Sequence, residues 1–359
     1  MKISFLVPSY NHEKYVSGFI QSVLAQTNPN WEMIIVDDCS VDRNVEIIKT
    51  YSDARIKFVQ TPFNSGINAA LNLAYKYSSG EIISTIAADD ELEPEYTEKV
   101  IAAFTAYADV GVVYTPLAVI DGNGRKTGKI FKPDYSVAVS DYFRSLFLKQ
   151  VFLQSPGMAY RRVFAEKIHP LPLGLLQFQD VGMHLALSKY TRPLHLDSPV
   201  VRYRVAGQGV SNVNAVQLSQ QVAETPLLMD LGEKLIGDDV VLFKKLFHNV
   251  DWVKDADIRQ DLIPYYLAKI AMTSAIDARR AWGMARINRL ISEDDLLGKI
   301  NAAYGMKFAD LYAELRSCAP VRFTTIEKRR MLVPGVYKIS NGKSRSLSIC
   351  GLRIMYKSK

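Results

Sequence analysis

The sequence predicts an α/β protein in which a mostly parallel sheet is flanked by helices, followed by an α-helical C-terminal region and a small basic tail. Strand-like and helix-like segments alternate through the first 120 residues, and such a βαβα series implies a parallel sheet with helices on both faces. The composition turns helical from Ala215 onward, with few turn signals. Around Asn341 and Gly342 the tail has the pattern of a β-hairpin.

The alternation is read from the period of the apolar residues and from capping and turn residues. Strands are expected at Lys2–Val7, Trp31–Val36, Arg55–Gln60, Glu81–Ala87, Val110–Ile120, Ser155–Arg161 and Leu194–Tyr203. Helices are expected at Tyr15–Gln26, Val45–Tyr51, Ile67–Tyr77, Pro94–Tyr107 and Asp180–Lys189.

Length and composition suggest more than one structural unit. A chain of 359 residues exceeds the usual size of one small domain, and we expect units at residues 1–214, 215–320 and 321–359. Three scattered cysteines without CxxC spacing argue against a disulfide framework and against structural zinc. Met1–Pro8 is expected to be a strand rather than a signal peptide, and no apolar run reaches the roughly 18 residues of a membrane span. A cytoplasmic protein is expected.

Positive charge is concentrated at the end of the chain. Residues 321–359 hold ten Lys or Arg and one acid, Glu327, so residues 1–320 carry a net −2 of the overall +7. A basic segment of this kind attracts anionic membranes. The sequence therefore suggests peripheral contact with the inner face of the cell membrane, with a solvated terminus as the equal alternative. No nucleic-acid partner is expected.

Two predicted strands end in carboxylates. The first is followed by Asp37 and Asp38, and the second by Asp89, Asp90 and Glu91. Carboxyl ends of parallel strands meet at one edge of a sheet, and hard oxygen ligands suit Mg²⁺ or Mn²⁺. This pattern predicts a divalent cation that stabilises a departing diphosphate.

The first strand-to-helix turn contains neither GxGxxG nor GxxxxGK[ST], so a dinucleotide fold and a P-loop lose most of their support. Pro8 ends the strand instead, and Tyr10 offers an aromatic ring that can stack on a base or simply pack. Four motifs follow in order: Val7-Pro8-Ser9-Tyr10-Asn11, Val36-Asp37-Asp38, Asn64-Ser65-Gly66 with Ala69 to Asn72, and Ala88-Asp89-Asp90-Glu91 with Pro94.

Together these motifs resemble the family 2 inverting glycosyltransferases, which have the Rossmann-like GT-A fold. The resemblance covers residues 1–205. It implies that the turn at Pro8, Ser9 and Tyr10 lies along the nucleobase, and that Asp37 and Asp38 hold the base and ribose, with Asp38 the better candidate for the base. A carboxylate can accept from the imide N–H of uracil, so uridine is the default nucleotide.

The resemblance also implies that Asn64, Gly66 and Asn72 lie under the nucleotide. Their equal alternative is structural, with glycine supplying a positive φ and asparagine a helix cap.

By the same resemblance, Ala88 and Asp89 contact the donor, and Asp89 and Asp90 bind Mn²⁺ or Mg²⁺. The family often has Asp at the position of Ala87, which leaves open whether Asp89 or Asp90 coordinates.

Downstream, Asp180 matches the family's general base at the start of a helix, while Gln179 replaces the preceding Glu. The alternative is an acid placed there by the helix dipole. Arg204 belongs to a Tyr-Arg segment in which the family often has a histidine soon afterwards; here Ala206 lies near that position. Arg204, or a backbone group in the Gly207–Gly209 loop, is therefore expected to contact the pyrophosphate.

The resulting expectation is a metal-dependent inverting glycosyltransferase. It would move a sugar from a nucleotide-diphospho sugar, by default a UDP-sugar, to a saccharide or lipid-linked acceptor in cell-surface polysaccharide synthesis. The helical region is a candidate for homo-oligomer contacts or acceptor binding. The alternatives are a sugar-nucleotide nucleotidyltransferase and a non-catalytic relative that binds sugar nucleotides.

Overall fold

The computed structural model describes residues 1–132, 138–149, 153–205 and 216–317, together with the backbone of four strands in the tail. Its centre is a seven-stranded sheet in the order β10-β6-β9-β4-β1-β2-β3. All neighbouring pairs are parallel except those of β9, which runs antiparallel to β4 and β6. The strands are β1 (Ile3–Ser9), β2 (Trp31–Asp37), β3 (Ile56–Gln60), β4 (Ile82–Thr85), β6 (Val110–Tyr114), β9 (Met158–Arg161) and β10 (Arg192–His195).

Helices cover both faces of this sheet, as the alternation predicts. Val16, Phe19, Ile20 and Val23 form one apolar face of the first helix and are buried. Strand β1 is buried along its whole length, as expected for a central strand covered on both sides. The helices of this part are α1 (Val16–Leu24), α2 (Asn44–Ile48), α3 (Ile67–Tyr77), α4 (Tyr96–Ala106), α5 (Tyr142–Leu148), α6 (Arg162–Ile168) and α7 (Gln179–Tyr190).

Two expected strands are each divided in two. Val110–Ile120 was expected as one strand, but it forms β6 in the main sheet and a separate strand in a smaller sheet. Leu194–Tyr203 divides in the same way. A proline, Pro116 or Pro199, lies at each break, and a proline has no N–H to continue a ladder.

The smaller sheet follows the order β5-β11-β7-β8 and lies beside the end of β4. It brings the residues after Thr85 together with the strand that contains Arg204, because β5 and β11 pair antiparallel. Its strands are β5 (Glu91–Leu92), β7 (Leu117–Ile120), β8 (Lys126–Phe131) and β11 (Val201–Arg204).

The predicted helical region is confirmed over residues 216–317, apart from short connections. Its buried side chains join those of α3, α5, α6 and α7 in one hydrophobic core. The expected boundary at 214/215 lies outside the described residues, and the division into units stays a prediction. The helices are α8 (Val216–Ile236), α9 (Val240–Leu246), α10 (Asp251–Asp255), α11 (Ile263–Ala271), α12 (Asp277–Glu293), α13 (Leu296–Tyr304) and α14 (Phe308–Ser317).

The tail contains the expected hairpin within a larger antiparallel sheet. Its strands are β12 (Lys328–Val333), β13 (Val336–Ser340), β14 (Arg345–Ile349) and β15 (Leu352–Tyr356), paired in sequence order. Among the parts of the chain that the structure describes, no helix combines the length and the hydropathy needed to cross a bilayer.

Candidate active site

The turn after β1 is held by the turn after β2. Asn11 donates its N–H to the Ser40 hydroxyl, and its side-chain oxygen accepts from the N–H of Val41 at 3.0 Å. These contacts fix the position of Tyr10, which keeps 42% of its surface exposed. Pro8 and Ser9 are buried, and the amide of Asn44 donates to the Ser9 hydroxyl at 2.9 Å. Of the three predicted residues in this turn, Tyr10 offers an accessible side chain for a base.

Asp37 is buried and fully used within the protein. One carboxylate oxygen accepts from the Asn44 amide at 2.7 Å, and the other accepts from the Ser40 N–H and the Gln60 amide. Asp37 therefore connects β2, the turn after it and the end of β3.

Asp38 organises the predicted Asn64-Ser65-Gly66 turn. Its carboxylate accepts from the Thr61 hydroxyl at 2.8 Å, from the N–H and hydroxyl of Ser65, and from the Gly66 N–H at 2.7 Å. Gly66 has a φ of +88°, which explains the glycine, and Asn64 is exposed. The contacts give Asp38 a structural task, and its contact with a base stays a prediction.

Asn72 faces a different segment. Its side-chain oxygen accepts from the Leu171 N–H at 2.6 Å, and its amide donates to the Leu171 carbonyl at 3.0 Å. The structure thus uses Asn72 to tie α3 to residues 169–171, and it does not place the Asn72 amide among the carboxylates at the sheet edge.

Asp89 and Asp90 follow β4 and differ in exposure. Asp90 is buried, whereas Asp89 is partly exposed. Burial and the neighbouring Asp89 carboxylate raise the pKa of Asp90 well above its usual value. Ala88 is part of the core, so its side chain faces other apolar groups. A bound cation would stabilise the ionised form of the buried Asp90 carboxyl beside Asp89. Carboxylate oxygens are ligands that suit Mg²⁺ or Mn²⁺. Within the described residues, no group of three or more His, Cys, Asp or Glu side chains is arranged to hold a metal.

Arg204 holds this acidic segment in place. Its backbone N–H donates to Asp90 at 2.9 Å, and its guanidinium donates to the carbonyls of Asp89 and Asp121. The same guanidinium pairs with Glu91 at 2.6 Å and lies over the ring of Tyr15. Because these acceptors already bond to the buried guanidinium, the expected pyrophosphate contact of Arg204 stays a prediction. The alternative, the Gly207–Gly209 loop, lies outside the described residues.

Asp180 lies in the first turn of α7, where the helix dipole favours a negative charge. Its carboxylate accepts from the Val181 N–H at 2.7 Å and from the Ser155 hydroxyl at 3.1 Å. Burial raises the pKa of Asp180, and the two hydrogen bonds act in the opposite direction. A carboxylate with a raised pKa at a partly accessible position suits general-base chemistry.

Three residues behind Asp180 went unrecognised in the sequence. The Ser155 hydroxyl lies 3.1 Å from Nε2 of His184, and Nδ1 of His184 lies 2.8 Å from the Tyr114 hydroxyl. His184 follows Asp180 by four residues on one helix, which places both side chains on the same face. That spacing was the available signal, whereas Ser155, in the segment before β9, and Tyr114, at the end of β6, are distant from Asp180 in the sequence.

The sheet topology brings most predicted site residues to one edge. Asp38 donates its N–H to the Ser9 carbonyl at 2.9 Å, so the ends of β1 and β2 are adjacent. Gly157 donates its N–H to the Thr85 carbonyl at 2.8 Å, which places the Ser155 segment beside the end of β4. Asp180, bonded to Ser155, therefore shares this edge with Asp89 and Asp90.

Comparisons with known proteins agree with this architecture. Residues 4–168 match the model of Glycosyl transferase family 2. Over 294 residues the chain is 26% identical to the uncharacterized glycosyltransferase alr2836 of Nostoc sp., covering 80% of this chain and 88% of that protein. It is 41% identical over 88 residues to WfgD of Escherichia coli, a UDP-Glc:alpha-D-GlcNAc-diphosphoundecaprenol beta-1,3-glucosyltransferase, covering 24% and 35% of the two chains.

Among solved structures, residues 1–349 of Staphylococcus aureus TarS in complex with UDP-GlcNAc superimpose with a TM-score of 0.53 at 18% identity, covering 97% of this chain and 99% of that one. A likeness at this identity concerns the fold, and it confirms the predicted GT-A architecture. Residues 4–168 contain the motifs at the ends of β1, β2 and β4. Residues 4–168 of this chain therefore match a family 2 glycosyltransferase domain, and the fold is GT-A.

Proposed function

We propose that this enzyme transfers a sugar with inversion from a UDP-sugar to a saccharide or lipid-linked acceptor in cell-surface polysaccharide synthesis, with Mn²⁺ or Mg²⁺ as cofactor. The observation that carries the proposal is the position of Asp180. The Asp180 carboxyl bonds to Ser155, and Gly157, two residues further on, bonds to Thr85 at the end of β4. Asp180 therefore lies at the same edge of the sheet as Asp89 and Asp90.

Inversion requires the acceptor hydroxyl to attack the anomeric carbon on the face opposite the departing diphosphate. One carboxylate takes the hydroxyl proton as the new bond forms. In the proposed mechanism Asp180 takes this proton, and burial, which raises the pKa of its carboxyl, makes it a stronger base than an exposed carboxylate. Asp89 and Asp90 would hold the cation, which supplies positive charge for the leaving diphosphate.

The donor and acceptor classes follow from chemistry and from relatives. Tyr10 presents an exposed ring at the end of β1, where a nucleobase can stack. WfgD is named for a UDP-glucose donor and a diphosphoundecaprenol-linked acceptor, and the TarS structure contains UDP-GlcNAc. A UDP-sugar and a lipid-linked saccharide are therefore the first candidates for this chain.

The metal assignment is tested by binding of UDP to the full chain, measured by calorimetry with and without Mn²⁺. We expect Mn²⁺ to strengthen UDP binding to the wild type, and the double change Asp89→Ala with Asp90→Ala to abolish this dependence. Asp53→Ala removes a surface carboxylate that pairs with Arg55, so it serves as the control. Equal Mn²⁺ dependence in the double variant would refute the assignment.

The basic tail supports an additional proposal about location. The ten basic residues after position 320 would attract an anionic membrane surface, where a lipid-linked acceptor resides. Peripheral attachment to the inner face of the membrane is proposed on this basis and is separate from the transfer chemistry. Oligomer contacts of the helical region are a separate proposal, which rests on its helical composition alone.

A further inference from the structure

We propose that Tyr114, His184 and Ser155 form a one-directional hydrogen-bond chain that positions the Asp180 carboxylate for its reaction with the acceptor. The Ser155 hydroxyl lies 3.1 Å from Asp180 Oδ2 and 3.1 Å from Nε2 of His184. Nδ1 of His184 lies 2.8 Å from the Tyr114 hydroxyl. The inference rests on the proposed role of Asp180 as general base. In this chain Ser155, His184 and Tyr114 are positioning residues, because none of them takes the acceptor proton.

The direction of the chain follows from the number of protons available. His184 is buried, and burial lowers its pKa to about 3, so its ring is neutral at ordinary pH and carries one N–H. An ionised Asp180 only accepts, so the single hydroxyl proton of Ser155 points to Asp180. The Ser155 oxygen then accepts from Nε2–H of His184, and Nδ1 accepts from the Tyr114 hydroxyl.

This arrangement bears directly on the chemistry. Burial alone would keep Asp180 protonated to higher pH, and a protonated carboxyl cannot take a proton from the acceptor. The Ser155 hydroxyl favours the ionised form by donating to it. His184 and Tyr114 favour the orientation of Ser155 in which that donation occurs, because they leave Ser155 no second acceptor for its proton.

Other titratable groups near Asp180 do not replace this effect. Tyr142 on α5 and His195 on β10 bond to each other at 2.8 Å, and the His195 ring stacks on Tyr114. Glu224 on α8 accepts from the N–H groups of residues 176–178, just before α7. On α6, Lys167 lies over Tyr190, roughly 15 Å along α7 from Asp180.

The test compares Ser155→Ala with Ser155→Thr, which keeps the hydroxyl. UDP release from UDP-glucose and UDP-N-acetylglucosamine is measured across pH. We expect Ser155→Ala to move the acid limb of the rate profile to higher pH by about one unit, Ser155→Thr to restore it, and Tyr114→Phe to move it less in the same direction. Ser17→Ala, which removes a serine–tyrosine hydrogen bond between α1 and Tyr51, should leave the limb in place.

A second measurement needs no substrate. The loss of Tm caused by Ser155→Ala should be larger at pH 8 than at pH 5, by about 2 °C, because the lost hydrogen bond matters most when Asp180 is ionised. In an Asp180→Asn background this pH dependence should vanish. A Tm loss that is equal at both pH values, together with an unmoved acid limb, would overturn the hydrogen-bond chain. If Asp180→Asn retains full turnover, the proposed base fails instead, which separates the two failures.

Discussion

Individual carboxylates at the edge of the sheet have distinct tasks although they occur in similar motifs. Asp37 and Asp38 are each surrounded by donors from the protein. Asp89 is partly exposed, and Asp180, also partly exposed, accepts from the Val181 N–H and the Ser155 hydroxyl. We therefore assign a structural task to the first pair and propose reactive tasks for Asp89, Asp90 and Asp180.

The first prediction concerns Asp38. Asp38→Ala should lower the free energy of unfolding by about 2–4 kcal/mol, since it leaves the buried Thr61 hydroxyl and the partly buried N–H groups of Ser65 and Gly66 without their shared acceptor. Urea unfolding measures this change, and Asp53→Ala, which breaks a surface pair, should cost no more than about 1 kcal/mol. An Asp38→Ala variant as stable as the control would contradict the structural task.

At this scale the sequence motifs located the acids and the family resemblance suggested their roles. They did not reveal which of these side chains form hydrogen bonds with other groups of the protein. Asn72 bonds to Leu171 and Asp38 bonds to Ser65. These partners are far apart in the sequence, so a local sequence motif does not identify them. Ser155 and Tyr114 escaped notice for the same reason.

At the scale of elements, the alternation of strands and helices was largely predictable because apolar periodicity reports the buried face of each element. The two breaks at Pro116 and Pro199 were missed. Apolar residues continue on both sides of each break, so periodicity showed one long strand where the chain passes between two sheets. The resulting small sheet is what brings Arg204 to Asp90.

The junction between α3 and the segment after α6 gives a prediction about pH. His169 stacks on Tyr75 with ring centres 4.0 Å apart, and Nδ1 of His169 lies 3.1 Å from the Asn72 side-chain oxygen. Burial lowers the pKa of His169 to about 4, below its value in an unfolded chain. The folded state therefore binds fewer protons, and the stability that is present above pH 6.5 is lost as the pH falls towards 4.

Between pH 7 and pH 4 the wild type should lose about 3 kcal/mol more stability than His169→Gln, as measured by urea unfolding at each pH. The exposed His248, changed to Gln, controls for loss of an imidazole. If the free energy of unfolding changes equally with pH in the wild type and in His169→Gln, His169 has the same pKa in the folded and unfolded states.

For the whole molecule, the helical region and the sheet share one hydrophobic core through α5, α7 and α8. Helical composition predicted the helices, but their packing against the sheet depends on contacts between distant residues and could not be predicted from it. The trailing strands were predictable in part from the Asn341-Gly342 turn signal, and only two of the four were expected.

The tail leads to a prediction about membranes. Deleting residues 321–359 should weaken sedimentation with anionic liposomes at low salt while sparing UDP release, because the deleted segment has a net charge of +9. Added salt should weaken binding of the intact chain through screening. Undiminished liposome binding after the deletion would place the membrane contact elsewhere.

The most direct test of the proposed mechanism is turnover by Asp180→Asn, measured as UDP release from UDP-glucose and UDP-N-acetylglucosamine with Mn²⁺ present. We expect the variant to bind UDP as tightly as the wild type, because the proposed partner of Asp180 is the acceptor hydroxyl and not the nucleotide. We expect kcat to fall by roughly 10²- to 10⁴-fold through loss of the base. Turnover equal to that of the wild type would contradict the assignment of Asp180 as the group that deprotonates the acceptor.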